Sequence, residues 1–198
     1  MKTNRDIPKT FPGGSIAYRI VRLSVLVFLF VLFNRSIQFA QSQKEIEYRF
    51  KAVYLFNFMQ FTEWPDSVFE NSTSPIIIGI IGENPFGSVL EEAIQSEKIN
   101  DRSIVVRRFH WIDEVTHCHA LFVSPSEKEN LNFIFRRVAD LPILTMSDLN
   151  HFGDSGGAIT FYLENNRIRF EVNMNALRRS GLKLSSKLLR LARIVNPL

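Results

Sequence analysis

The run from Lys51 to Pro65, KAVYLFNFMQFTEWP, constrains this chain most. Wound as one helix it is polar almost only at Asn57, Gln60, Thr62 and Glu63, while Val53, Tyr54, Leu55, Phe56, Phe58, Met59, Phe61 and Trp64 cover the rest of its circumference. A helix that is apolar all round is normally enclosed by other elements. Upstream, Lys44, Glu45, Glu47 and Arg49 alternate with Ile46 and Phe50, which predicts a helix that starts near Lys44 with a wet face and becomes enclosed as it proceeds. Pro65 disfavours helical geometry at Trp64 and is expected to set the end there. A core helix and an exposed docking helix are the two readings; part of the face can serve both.

The segment before it sets the compartment. Arg19 and Arg22 precede the uncharged apolar stretch Leu23 to Phe33, which suits the core of a secretory signal and is short for a bilayer span. Residues 1–42 read as a cleaved signal peptide, with processing after Ser42 or after Ala40 and an uncleaved anchor as the alternative, and residues 43–198 as one exported domain. Six basic side chains (Lys2, Arg5, Lys9, Arg19, Arg22, Arg35) and one acid, Asp6, lie in the leader. The remaining 18 basic and 19 acidic groups give the mature chain a net charge of −1, so the basic balance of the whole sequence gives no support to nucleic-acid binding. Cys118 is the only cysteine, which rules out an internal disulfide and leaves stability to packing.

After the loop Asn71 to Pro75 the pattern alternates. Strands are expected at Pro75 to Gly82, Ser103 to Phe109, Cys118 to Ser124 and Leu141 to Met146, with helices at Phe86 to Ile99 and Glu127 to Ala139. Solidly apolar strands separated by helices imply a parallel sheet with right-handed crossovers. Ala158 to Leu163 and Arg167 to Val172 flank Glu164, Asn165 and Asn166, and the Asn pair suits a hairpin turn. The fold class is therefore α/β: a single-domain, Rossmann-like three-layer sandwich, its mostly parallel sheet ending in an antiparallel hairpin. Asn173 to Ser180 reads as a short helix stopped by Gly181, and Ser185 as the cap of another carrying Leu188, Leu189, Ala192 and Val195. The tail is basic through Arg178, Arg179, Lys183, Lys187, Arg190 and Arg193, which suits a solvated face or contact with anionic headgroups or an acidic partner.

Several motifs suggest chemistry and lack its context. GDSGG, Gly153 to Gly157, with His117, Asp148 and Ser155 in order, imitates a trypsin-like protease, yet that mechanism needs two β-barrels around the triad. Glycines entering a hairpin explain the same letters. His117 and His119 on a strand would share a face away from Cys118, too few ligands for a metal site without help from distant segments. Gly79, Gly82 and Gly87 around GENPFG sit where a first strand meets its helix, a common ligand position, but the loop has neither GxGxxG nor a P-loop lysine. Asn84 and Phe86 are the candidate ligand contacts there, with Arg167 and Arg169, which share a strand face suited to a carboxylate or phosphate. No catalytic residue, cofactor or metal site is expected.

Taken in order, KAVYLFNFMQFTEWP, IIIGIIGENPFG, CHALFVSPSE, LPILTMSD and GGAITFYLENNRIRFEVNMNALRRSGLKLSSKLLRLA closely resemble the YfiR/HmsC-like family of exported bacterial proteins, over essentially the whole mature chain. The resemblance implies a periplasmic repressor that holds an inner-membrane diguanylate cyclase inactive and so controls cyclic di-GMP, biofilm and exopolysaccharide; other members accompany sensor kinases or outer-membrane receptors. It implies an inner-membrane diguanylate cyclase or sensor kinase as partner, with Phe58, Phe61 and Trp64 as contacts where they are not wholly buried. A homodimer and a small-molecule effector are compatible with it, and a small-ligand binding protein serving a sensor kinase or transport receptor is the alternative. Family members with cysteine pairs can couple their state to redox conditions; Cys118 has no partner, so that control does not carry over.

Overall fold

The structure is a computed structural model that describes residues 14–195. Helix α1 runs Gly14–Gln60, and two compact units divide within it, the second being Glu45–Leu198. Among the described residues no helix is long and apolar enough to cross a membrane. Residues 1–13 and 196–198 lie outside the described residues, and nothing in the structure tests where a leader is cleaved. The expected start near Lys44 is corrected to Gly14, because neither glycine nor proline interrupts residues 15–64.

The helix also ends earlier than Trp64. Its last residue is Gln60, and Thr62–Glu63 form a short strand, β1. Thr62 Oγ1 turns back to donate to the Phe58 carbonyl at 2.6 Å, and the backbone beyond pairs with Lys183–Leu184. Tertiary pairing thus overrides an apolar helical pattern four residues before the proline.

The second unit then alternates through β2 (Ile76–Ile81), α2 (Val89–Ile94), β3 (Lys98–Ile99), β4 (Arg102–Phe109), β5 (Ala120–Val123), α3 (Leu131–Val138), β6 (Leu144–Ser147), β7 (Ile159–Glu164) and β8 (Arg167–Asn173). It closes with α4 (Met174–Arg179), β9 (Lys183–Leu184), α5 (Ser186–Leu189) and β10 (Arg193–Val195). The eight-stranded sheet has the order β10-β8-β7-β6-β5-β2-β4-β3. Pairing is parallel from β4 through β2, β5 and β6 to β7, and β7 with β8 is the antiparallel hairpin. The two-residue turn Asn165–Asn166 has both φ values positive, 50° and 61°, as a type I′ turn requires.

Two more expectations change. The helix foreseen over Phe86 to Ile99 is confined to Val89–Ile94, because Lys98–Ile99 fold back on Arg102–Ser103 through Asn100–Asp101, again with positive φ. The last helix stops at Leu189 rather than continuing to Val195, since Arg193–Val195 add a parallel edge strand to β8. Ser185 does cap it, accepting from the Lys187 amide, and Asn173 caps α4 by accepting from Asn175 and Ala176.

Alternation along each strand divides the core into two layers. On one face Ile76, Ile78, Ile80, Ala120, Phe122, Leu144, Met146, Ile159 and Phe161 meet Tyr48, Ala52, Leu55, Phe58 and Met59 of α1, with α2 and α4 alongside. On the other, Ile81, Leu121 and Val123 meet Val115, Leu131, Ile134 and Val138. Residues 48–59 of α1 therefore form the centre of one layer of the sandwich, with α2 and α4 completing it. Phe58 is its aromatic centre, with rings of Phe161 and Phe170 at 5.7 and 4.8 Å.

Candidate functional site

The part of α1 that belongs to the second unit is fastened at both edges of the sheet. At the carboxyl edge Lys51 is buried, and its Nζ lies 2.5 Å from Asp148 Oδ2, just past the end of β6, and also against Glu47. Tyr48 donates its hydroxyl to the same oxygen at 2.7 Å. Asp148 Oδ1 is buried with no hydrogen-bond partner among the described residues. Burial, then the hydrogen bond to Asp148 and the charges of Asp148 and Glu47, push the Tyr48 hydroxyl far above its ordinary value, so it stays a donor. Two donors and one acid make this a lock for the helix.

At the amino edge the chain leaving α1 closes an aromatic clamp. Trp64 donates its indole N–H to the His119 carbonyl at 3.2 Å. Phe69 stacks on the His119 ring at 4.8 Å and 15°, and the Arg102 guanidinium covers the other side of Phe69 at 3.9 Å. Arg102 also donates to the carbonyls of Asn71 and Ser74, at 2.7 and 2.8 Å, tying down the loop before β2. His119 Nδ1 accepts from the Ile77 amide at 3.0 Å, which places the proton on Nε2, facing the Val68 carbonyl. Burial lowers its proton affinity, the Val68 carbonyl opposes that, and the Arg102 charge adds to it. The imidazole is therefore a neutral, fully used spacer.

Around the carboxyl-edge lock α1 turns an apolar stripe to water. Ile46, Phe50 and Val53 recur at helical spacing and are 45, 59 and 51 % exposed. The sequence-predicted contacts fall elsewhere. Phe58 is wholly buried and presents no surface, because it faces the sheet in the first core layer. Phe61 and Trp64 are half-buried, Phe61 with its carbonyl accepting from Ser185 and Trp64 in the clamp. Ile46 and Phe50 stand among Lys44, Glu45, Glu47 and Arg49 in the sequence, and those charges mask the apolar stripe that the two form with Val53.

Asn84, Phe86, Arg167 and Arg169 do not converge on one site. Asn84 closes its own loop, donating to the Gly87 carbonyl at 2.9 Å and accepting from the Phe86 amide at 3.0 Å. Phe86 is buried, edge-on to Tyr48 and Phe122. Gly82 and Gly87 take positive φ, 88° and 59°, so these loop glycines serve the turns of a strand-to-helix junction. Arg167 and Arg169 are exposed near the hairpin end of β8, Arg169 with Glu164 at 3.5 Å.

The protease-like residues are also separately engaged: Asp148 with Lys51 and Tyr48, Ser155 with the His151 carbonyl, and His117 Nδ1 near the Glu114 carbonyl. Among the described residues no group of three or more His, Cys, Asp or Glu is placed to hold a metal. The Cys118 thiol donates to the Val115 carbonyl, and burial pushes it up to about 12.

The second unit is thus an α/β domain with the end of its first helix locked over a mostly parallel sheet and an apolar stripe left outside. The chain is a member of the YfiR/HmsC-like family, whose model matches residues 48–193. That family is known for periplasmic regulators of cyclic di-GMP signalling. No curated protein matches the chain.

Proposed function

We propose that this protein is a periplasmic adaptor that binds an inner-membrane signalling protein, a diguanylate cyclase by the family's habit, and holds it in its inactive conformation. The observation that carries the reading is the exposed stripe Ile46, Phe50 and Val53 on a helix locked to the domain at Lys51. A rigid helix offering apolar anchors in register is a recurrent way to bind a partner groove. Repression then requires tighter binding to the inactive than to the active conformation; equal affinity for both shifts nothing. The export signal expected from the sequence would bring the domain to the compartment where such sensors expose their receptor regions.

The test is in-cell photo-crosslinking from position 50, with mass spectrometry of the captured species. Recovery of an inner-membrane cyclase or kinase supports the adaptor. Phe50→Asp should abolish that capture and raise cyclic di-GMP while leaving the purified domain as stable as before, within about 0.5 kcal/mol for an exposed position. Capture of self alone, or capture unaffected by Phe50→Asp, defeats the reading.

A further inference from the structure

The carboxyl edge of a parallel α/β sheet is the usual place for a ligand, and here it is filled by the chain itself. Ser126 accepts the Glu83 amide at 2.9 Å across the β2–β5 junction, and Tyr48, Lys51 and Asp148 occupy the ground beside it. The open space is at the other edge. A cavity of about 810 Å³ lies among the loop before β2, the end of the Ile112–His117 turn and the entry to β6, a volume within the range of small-molecule sites.

Its chemistry is asymmetric. Arg107 projects into it from β4 and makes no hydrogen bond or ion pair among the described residues, unlike neighbouring Arg102 and Arg108, which are held by loop carbonyls and by Glu91. His117 stands next to it, its Nδ1 turned to the Glu114 carbonyl, and both line an adjoining hollow of about 370 Å³. Hydroxyls of Ser67 and Ser74 add donors, while those of Thr73 and Thr116 already donate to Asn71 and Asp113; Glu70 is the one acid in the lining of the larger cavity, Glu114 lines the adjoining hollow, and Ile77 and Pro142 supply apolar wall. The wall formed by residues 67–75 is fixed in advance by the Arg102, Phe69 and His119 stack, so a ligand has little loop ordering to drive.

We propose that this cavity binds a small organic anion, its acidic group held by the Arg107 guanidinium and the His117 imidazole and its apolar body laid along Val68, Ile77 and Pro142. The fork of an arginine matches a carboxylate or a phosphate equally, and both are the shared chemistry. The site is separate from the α1 stripe and stands whether or not the adaptor reading does.

The experiment is an amide NMR titration of the purified protein with phenyl phosphate, benzoate and, as the neutral control, phenol. Saturable shifts at Val68, Thr116, His117 and Ile143 with at least one anion, absent with phenol, are expected, and the tighter anion identifies the acidic group preferred. Arg107→Gln should weaken that binding about tenfold or more, Arg107→Lys less, and Arg190→Gln, distant on the C-terminal segment, not at all. Should Arg107→Gln fail to fold, Thr116→Tyr, which fills the cavity from its rim, must abolish binding instead. Absence of saturation for both anions, equal binding of phenol, or full affinity in Arg107→Gln overturns the proposal.

Discussion

Replacing Lys51 by methionine keeps the stem that packs between α1 and the sheet and removes the cation from Asp148. The side chains of Lys51 and Asp148 are 4 and 10 % exposed, so solvent does little to compensate the carboxylate left behind. Asp148 Oδ1 is already without a partner, and the Tyr48 hydroxyl alone remains on Oδ2. Breaking a buried pair from one side costs about 3–5 kcal/mol, and Lys51→Met should lie in that range. Asp148→Asn is gentler, because Nζ keeps Glu47, which is 27 % exposed, and an amide oxygen can still accept; about 1–2 kcal/mol is expected. The double variant should cost less than the sum, with a coupling of about 1–3 kcal/mol.

Urea denaturation followed by Trp64 and Trp111 fluorescence and by far-ultraviolet circular dichroism measures all three, with the midpoint and slope fitted together. The order matters more than the absolute values: Lys51→Met worst, Asp148→Asn milder, the pair sub-additive. If Lys51→Met costs under about 1 kcal/mol, or the two changes add without coupling, the cluster is a surface-type ion pair and α1 is not locked at this edge.

Three further outcomes follow from the same geometry. Phe58→Ala should lower stability by about 3–5 kcal/mol, read by thermal denaturation, since a fully buried ring between Phe161 and Phe170 leaves a cavity that neither neighbour can close. Because His119 binds its proton less readily folded than unfolded, its contribution is complete above about pH 6.5 and is lost as pH falls below it; urea midpoints should drop through that window in the native protein, and drop less in His119→Gln. Cys118, buried and pushed up to about 12, should resist a thiol reagent at neutral pH until urea unfolds the chain, and rapid labelling of the folded protein would contradict its placement.

Much of this architecture is legible in local pattern. PIIIGIIG is apolar at every side chain because β2 is buried on both faces, inside the sheet between β5 and β4. Asn165–Asn166 announces its hairpin because asparagine tolerates the left-handed backbone that a two-residue turn demands. The equivalent pair Asn100–Asp101 carries the same information, yet the apolar positions of Val89 to Ile94 extend a helical reading over it, so the small β3 is lost. The early end of α1 and the strand β10 depend on partners 122 residues away and 22 residues away, Thr62 with Leu184 and Arg193 with Glu171, and no local signal encodes either.

The candidate sites are less legible for the same reason. Lys51 and Asp148 are separated by 97 positions, and only the crossover that carries β6 next to the start of the enclosed helix joins them. His119 reads as one of two alternating histidines, whereas its role is set by Ile77, Phe69 and Trp64 arriving from three other segments. Arg107 looks like any polar position on an edge-proximal strand; what distinguishes it is that its two arginine neighbours are satisfied and it is not. The helix itself shows why composition misleads here. A helical stretch that is apolar nearly all round from Lys51 onward does not imply burial all round. Tyr48, Ala52, Leu55 and Met59 face the sheet, and Ile46, Phe50 and Val53, on the same turns, face water. The buried positions fix the helix, and only a helix so fixed can hold the exposed ones in one geometry for a partner to recognise.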